Sequence, residues 1–267
     1  MEDLTITLIQ TNIIWEDSQA NRNHYENEFL AQLKSDQSHL ILFPELFTTG
    51  FSMQTKKLAE TMDGESVIWM QKWANKLNCQ IGGSIIIEED GQYFNRFLIV
   101  SKNGIETYYD KRHLFRMGEE NQHFTAGENR VVYELNGWKI LLQVCYDLRF
   151  PVFSRNKTIH KEKEYDAIIY VANWPEVRAD IWSILLKARA IENQTFCIGL
   201  NRVGKDGHQV SHSGNSTVIN PWGENITNLT QSVNFVEIIT LKKNEITVIN
   251  NKFPAFLDAD NFHLTDK

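Results

Sequence analysis

Residues 141–151 read LLQVCYDLRFP. Leu141, Leu142 and Val144 have the composition of a buried strand, and the run 138–145, WKILLQVC, extends it backwards. At Cys145 the apolar pattern stops. Asp147 and Arg149 follow at alternate positions and Pro151 closes the segment, so a thiol stands where a strand gives way to charge. Strand ends and the loops after them are where α/β proteins build functional sites. Cys145 is therefore either a small core residue at a strand end or a nucleophile held at the rim of a sheet.

Outward from this segment, strand-like runs recur at 4–10, 39–44, 79–87, 93–101, 104–109, 130–135, 167–173, 195–201 and 216–220. Asp90-Gly91, Asn103-Gly104 and Asn136-Gly137 lie between apolar runs, as hairpin turns require. Helical spacing appears between them. Tyr25, Phe29 and Leu33 repeat every four residues, and Val67, Met70, Ala74 and Leu77 line one face. The stretch 173–194, NWPEVRADIWSILLKARAIENQ, reads as a helix with Asn173 placed to cap it, Pro175 in its first turn and Glu176 at the positive end of its dipole. Val177, Ile181, Ile184, Ala188 and Ile191 form its apolar stripe. The charge run 157–166, KTIHKEKEYD, reads as a solvated helix end or loop. Strands, hairpins and helices interleaved without a boundary signal predict one α/β domain with mixed sheets over residues 1–267, ending in a mixed apolar and acidic tail from about 251.

Composition narrows the function. With 42% hydrophobic and 23% charged residues the chain is an ordinary globular protein. A net charge of −7 and the lack of a dense basic patch argue against nucleic-acid or anionic-membrane partners. MEDLTITLIQ at the start has no signal-like apolar region. No run approaches the roughly 18 apolar residues of a membrane span. Three cysteines are too few for a disulfide framework and fit a reducing cytoplasm; Cys79 and Cys197, within apolar runs, read as inert. Eight histidines without an H-E-x-x-H pair, and no C-x-x-C, make a metal site unexpected. Residues 203–216, VGKDGHQVSHSGNS, lack phosphate-loop spacing, and no dinucleotide pattern follows a strand, so no cofactor is expected.

Three segments share one layout, an apolar strand followed by an ionisable residue. LILFPELFTTGF (40–51) delivers Glu45, ETYYDKRHLF (106–115) delivers Lys111, and ILLQVCYDLRFP (140–151) delivers Cys145. A free thiol is only a few per cent ionised at neutral pH; a nearby ammonium favours its thiolate, and a shift of two pKa units corresponds to roughly 2.7 kcal/mol. A carboxylate can take the thiol proton during attack on a carbonyl, and a lysine can face the resulting oxyanion. These groups suffice to hydrolyse an amide through a thioester. Singly, Cys145 suits an inert core, Glu45 a satisfied loop carboxylate and Lys111 a solvated surface; the weight lies in their conjunction. His113, close to Lys111, invites a Cys-His reading that the surrounding lysine motif does not favour.

Together FPELFTTGF, YYDKRHLF and VCYDLRFP resemble the nitrilase, or carbon–nitrogen hydrolase, superfamily, whose members use a Glu-Lys-Cys triad in this chain order. The resemblance continues through EENQHFTAGE (119–128), residues 171–204 and HSGNSTVINPWGE (212–224), from residue 4 to about 250. It implies a four-layer α-β-β-α sandwich with two mixed sheets. It implies Glu45 as general base, Cys145 as nucleophile and Lys111 as oxyanion-binding lysine. Glu120 matches a supporting glutamate, with Glu119 as the neighbouring alternative, and the Tyr146 backbone N–H a second oxyanion donor. Asp147 and Arg149 would brace the elbow around Cys145. Trp174 resembles a pocket-wall position, and Phe47, Phe51 and Met117 are candidates to line the same pocket. Family members commonly form homodimers, which the tail would help to build.

YDKRHLFRMGEE, VCYDLRFPVFSRN and ANWPEVR look most like the ω-amidase branch, which hydrolyses the terminal amide of 2-oxo acids. Such a small-molecule substrate carries a carboxylate far from its amide, and Arg116 and Arg149 are candidates to bind it. Another small-amide or nitrile hydrolase of the superfamily is the alternative. A catalytically silent binding module is disfavoured by the intact Glu45, Lys111 and Cys145.

Overall fold

A computed structural model describes residues 2–228 and 231–264. One sheet has six strands in the order β15 (Phe235–Leu241), β1 (Leu4–Gln10), β2 (Leu40–Leu42), β3 (Gln80–Glu89), β4 (Gln92–Ser101), β5 (Gly104–Asp110). The other has five, β14 (Thr217–Ile219), β11 (Phe196–Asn201), β10 (Ala167–Ala172), β7 (Trp138–Val144), β6 (Val132–Leu135). Two small hairpins complete the strands, β8 (Thr158–Ile159) with β9 (Glu162–Lys163) and β12 (Val203–Lys205) with β13 (Ser211–Ser213). Both large sheets are mixed: β1–β2–β3 and β7–β10–β11 run parallel, and their flanking strands antiparallel.

The period-two rule of a strand separates the layers. Leu40 and Leu42 of β2, with Phe97 and Ile99 of β4, join Ile140, Leu142 and Ile169 of the second sheet in one core. The alternate residues Ile41, Leu98 and Val100 pack instead with Val67, Met70, Ala74 and Leu77 of the helix Glu65–Leu77. On the far side the helix Ala179–Asn193 lays Trp182, Leu186 and Ala190 on the five-stranded sheet. That contact needs Gly199, where an added Cβ would stand 2.3 Å from Leu186 Cδ1. The result is the expected helix–sheet–sheet–helix sandwich.

Several local expectations are corrected. Asn173 caps no helix: a 3-10 turn covers Glu176–Arg178, and Arg178 is the N-cap of Ala179–Asn193. The stripe of Val177, Ile181, Ile184 and Ile191 is exposed, and the inward face is Trp182, Leu186, Arg189, Ala190 and Asn193. This helix is apolar on two faces, so period alone does not choose between them. Arg189 settles the choice by donating from Nη2 to the Leu148 carbonyl at 2.6 Å, beside the Cys145 turn. The Tyr25-Phe29-Leu33 pattern outruns its helix, which ends at Glu28 with Phe29 as C-cap. The charge run 157–166 holds the β8–β9 hairpin, turned by left-handed His160 and Lys161. Strand β15, absent from the sequence reading, pairs with β1 along its whole length. Thr158 Oγ1 and Gln194 Nε2 each donate at 2.6 Å to tail carbonyls, those of Phe256 and Phe253; residues 265–267 lie outside the described residues. Among the described residues no helix is long and apolar enough to cross a membrane.

Candidate active site

Strand β7 is extended through Val144, and Cys145 then turns to φ +45°, opening the 3-10 turn Cys145–Arg149. A left-handed non-glycine residue costs on the order of 1–3 kcal/mol and persists only where its surroundings over-determine it. Asp147 supplies that constraint. Fully buried, its Oδ2 accepts from the Val144 N–H at 2.9 Å and from the Tyr109 hydroxyl at 2.8 Å. Its Oδ1 accepts from the His113 N–H at 3.0 Å and lies 2.7 Å from His113 Nδ1. Tyr109 and His113 flank Lys111 at the end of β5, so Asp147 fastens the segment carrying the lysine to the elbow carrying the thiol. His113 is occupied by this carboxylate and stacks on Phe150 at 3.9 Å, which accounts for it without a Cys-His pair.

Glu45, Lys111 and Glu120 meet with side chains fully excluded from solvent. Lys111 Nζ donates to Glu45 Oε1 at 2.7 Å and to both oxygens of Glu120 at 2.9 Å. Three acceptors thus engage the three protons of the ammonium. Asn95 Nδ2 bridges the carboxylates, 2.8 Å from Glu45 Oε1 and 3.2 Å from Glu120 Oε1. The Asn173 N–H donates to Glu45 Oε2 at 2.8 Å and its amide side chain to the Glu45 carbonyl. The Phe115 N–H closes the set on Glu120 Oε2 at 2.6 Å. Burial works against the Lys111 ammonium, but Glu120 and Glu45 outweigh it and hold the pKa above the ordinary lysine value. Burial likewise lifts the Glu120 carboxyl, with Lys111 opposing.

Cys145 is 8% exposed and shares the cavity wall with Lys111. Burial pushes this thiol well above its usual pKa, Glu45 pushes it further, and Lys111 opposes. The expectation that the lysine draws out a resting thiolate is therefore corrected: the ammonium is already engaged by two carboxylates. The arrangement instead keeps the proton on sulfur with a base beside it. Cys79 and Cys197 have no such partners; burial raises the first to about 12 and the second further.

Lys111 and Cys145 lie in the wall of a cavity of about 690 Å³, with Phe51, Tyr146, Arg149, Asn173, Trp174 and Met117 also lining it. That volume suits a small organic ligand. Two sequence candidates fall outside. Phe47 is fully buried against Phe43 in the outer core, because its neighbour Leu46 turns left-handed (φ +44°) and Glu45 and Phe47 part company. Arg116 is exposed and does not line the cavity. Met117 lines it at the mouth, 84% exposed. Of the two glutamates, Glu120 is the buried partner of Lys111, whereas Glu119 is exposed.

Residues 5–249 match the carbon–nitrogen hydrolase family. The chain belongs to that family. This carbon–nitrogen hydrolase is 42% identical over 264 residues to the omega-amidase YafV of Escherichia coli, covering 99% of this chain and 100% of the relative. It is 33% identical to the 2-oxoglutaramate amidase of Bacillus subtilis, over 82% of this chain and 83% of the relative. It superposes on a CN-hydrolase superfamily protein of Xanthomonas campestris, which carries an arsenic adduct in its active site, with a TM-score of 0.95 and 41% identity, covering 99% of this chain and 100% of that one.

Three residues of the carbon–nitrogen hydrolase site were not singled out from the sequence for the positions they hold. Asn95 was signalled by a polar residue inside the apolar run YFNRFLIVS, since a buried amide needs partners. Asn173 was read as a helix cap, and its bond to Glu45 spans 128 residues. Arg178 lines the cavity, and only its location in the fold reveals that.

Proposed function

We propose that this carbon–nitrogen hydrolase is an ω-amidase, converting 2-oxo acid amides such as 2-oxoglutaramate and 2-oxosuccinamate into the 2-oxo dicarboxylate and ammonia. The observation that carries the reading is the buried Glu45–Lys111–Glu120 cluster beside Cys145 in a small-molecule cavity that also presents Arg149. The names of the Escherichia coli and Bacillus subtilis relatives support the substrate class.

In this mechanism Glu45 accepts the Cys145 proton as sulfur attacks the amide carbon. Lys111 exchanges one Glu120 contact for the carbonyl oxygen, and the Tyr146 backbone N–H is the second donor to the oxyanion. Glu45 then passes its proton to the leaving nitrogen, releasing ammonia and leaving a thioester. Water attacks the thioester as Glu45 takes its proton, and that proton returns to the departing thiolate with release of the acid. Glu120 and Asn95 hold Lys111 and Glu45 in place throughout. Arg149, 5.1 Å from the Trp174 ring centre, offers N–H donors to the substrate carboxylate. The exposed apolar stripe with Ile184 supports a homodimer or higher homo-oligomer of single-domain chains. The three free cysteines support a cytoplasmic setting. Ammonia release measured with 2-oxoglutaramate, glutamine and a simple nitrile tests the reading. Turnover of the oxo-amide far above the others is expected; a preference for glutamine or the nitrile refutes it.

A further inference from the structure

We propose that Arg178 selects the substrate class of this site, taking the remote carboxylate of an anionic amide together with Arg149. The inference rests on the ω-amidase reading and deepens it.

Most described arginines are committed to protein partners. Arg22 and Arg96 are in ion pairs, Arg130 pairs with Glu164, Arg155 donates to the Glu192 carbonyl, Arg189 pairs with Glu192 and Arg202 donates to backbone carbonyls. The side chains of Arg149 and Arg178 are different. Neither hydrogen-bonds or ion-pairs with any described residue, yet both line the cavity that holds Cys145. Carboxylates are present on the same wall, at Glu16, Glu119 and Asp206, but none comes within the 4.0 Å of an ion pair with either guanidinium.

Aromatic faces hold both groups instead. Arg149 lies 5.1 Å from the Trp174 ring centre, and Arg178 lies 5.6 Å from that of Phe115. A guanidinium held over an aromatic face in this way keeps its N–H donors open, and those donors can grip a carboxylate through two parallel bonds. Arg178 is also anchored through its main chain. Its carbonyl accepts from Trp174 Nε1 at 2.8 Å, so the indole that supports Arg149 also fixes the backbone of Arg178. Its aromatic partner Phe115 donates its own N–H to Glu120 Oε2 and meets the Tyr146 ring edge-on at 5.1 Å. Arg178 is therefore built into the same framework as Lys111 and Cys145.

Charge gives the selectivity. The chain carries −7 overall, so an anionic substrate depends on local cations. A neutral amide gains nothing from these guanidiniums and leaves them without a partner when it displaces water.

The test compares kcat and KM of the intact enzyme and its Arg178→Gln and Arg178→Lys variants on 2-oxoglutaramate and on pentanamide, a neutral amide of the same chain length. Arg178→Gln should lose about ten- to a hundredfold in kcat/KM on the oxo-amide, mostly through KM, the scale of one charge-assisted hydrogen-bond set. Pentanamide turnover should stay within about threefold. Inhibition by 2-oxoglutarate should weaken in parallel, and Arg178→Lys should recover part of the loss. Arg116→Gln, outside the cavity, should leave both substrates unchanged. Equal losses on the two substrates in a variant whose thermal midpoint is unchanged, or undiminished inhibition by 2-oxoglutarate, would overturn the proposal; should the glutamine variant not fold, the lysine variant decides by the same comparison. A wild-type enzyme that hydrolyses pentanamide but not 2-oxoglutaramate overturns the ω-amidase reading itself, before any variant is made.

Discussion

Replacing Lys111 by methionine keeps the shape of the side chain and deletes the one cation shared by two fully buried carboxylates. Glu45 and Glu120 would then face each other across Asn95 Nδ2, with only neutral donors left. Removing one partner of a buried ion pair costs about 3–5 kcal/mol. For a chain of 267 residues, with an unfolding entropy of roughly 2.1 cal/mol/K per residue, that is a fall of about 5–9 °C in Tm. The pH dependence is more diagnostic. Burial already raises the Glu120 carboxyl, and Lys111 is the main opposing influence, so Lys111→Met raises it further. A carboxyl whose folded pKa exceeds its unfolded value favours the fold at low pH and loses that contribution as pH climbs through the folded value. In the wild type Lys111 itself, raised above the ordinary lysine value, contributes evenly across this range and weakens only above it. The Tm gap between variant and wild type should therefore widen from pH 5.5 to pH 8, as read by circular dichroism melts at one scan rate. A gap that stays constant with pH, or narrows towards pH 8, refutes the claim that Lys111 holds two buried charges.

Because burial and Glu45 both push the Cys145 thiol up, alkylation by iodoacetamide should be slow at pH 7 and rise with pH beyond the usual thiol range. Glu45→Gln should speed alkylation at pH 8 while abolishing ammonia release, and slower labelling would contradict the assigned electrostatics. Ile184 is 66% exposed on the outer helix face, so Ile184→Glu should cost the fold less than about 0.5 kcal/mol while shifting the protein towards monomer in light scattering; a wild type already monomeric rules out that interface.

What the sequence alone determined is local. Apolar strand-like runs located ten of the strands, because residues such as Leu40, Ile41 and Leu42 seek burial whatever surrounds them. A thiol, a carboxylate and a lysine placed just beyond apolar runs marked the candidate site, because charge inside a strand would go unpaired. The half-exposed β15 and the two-faced helix Ala179–Asn193 escaped the same logic, since neither has one apolar side only. Tertiary structure alone decided which groups meet. Asp147 joins segments 38 residues apart, and Asn173 reaches Glu45 across 128. Phe47 goes inward while Arg178 turns to the cavity. It also decided the charge state of the thiol, because a lysine's effect on a neighbour depends on how many carboxylates already share it, and that number exists only once the chain has folded.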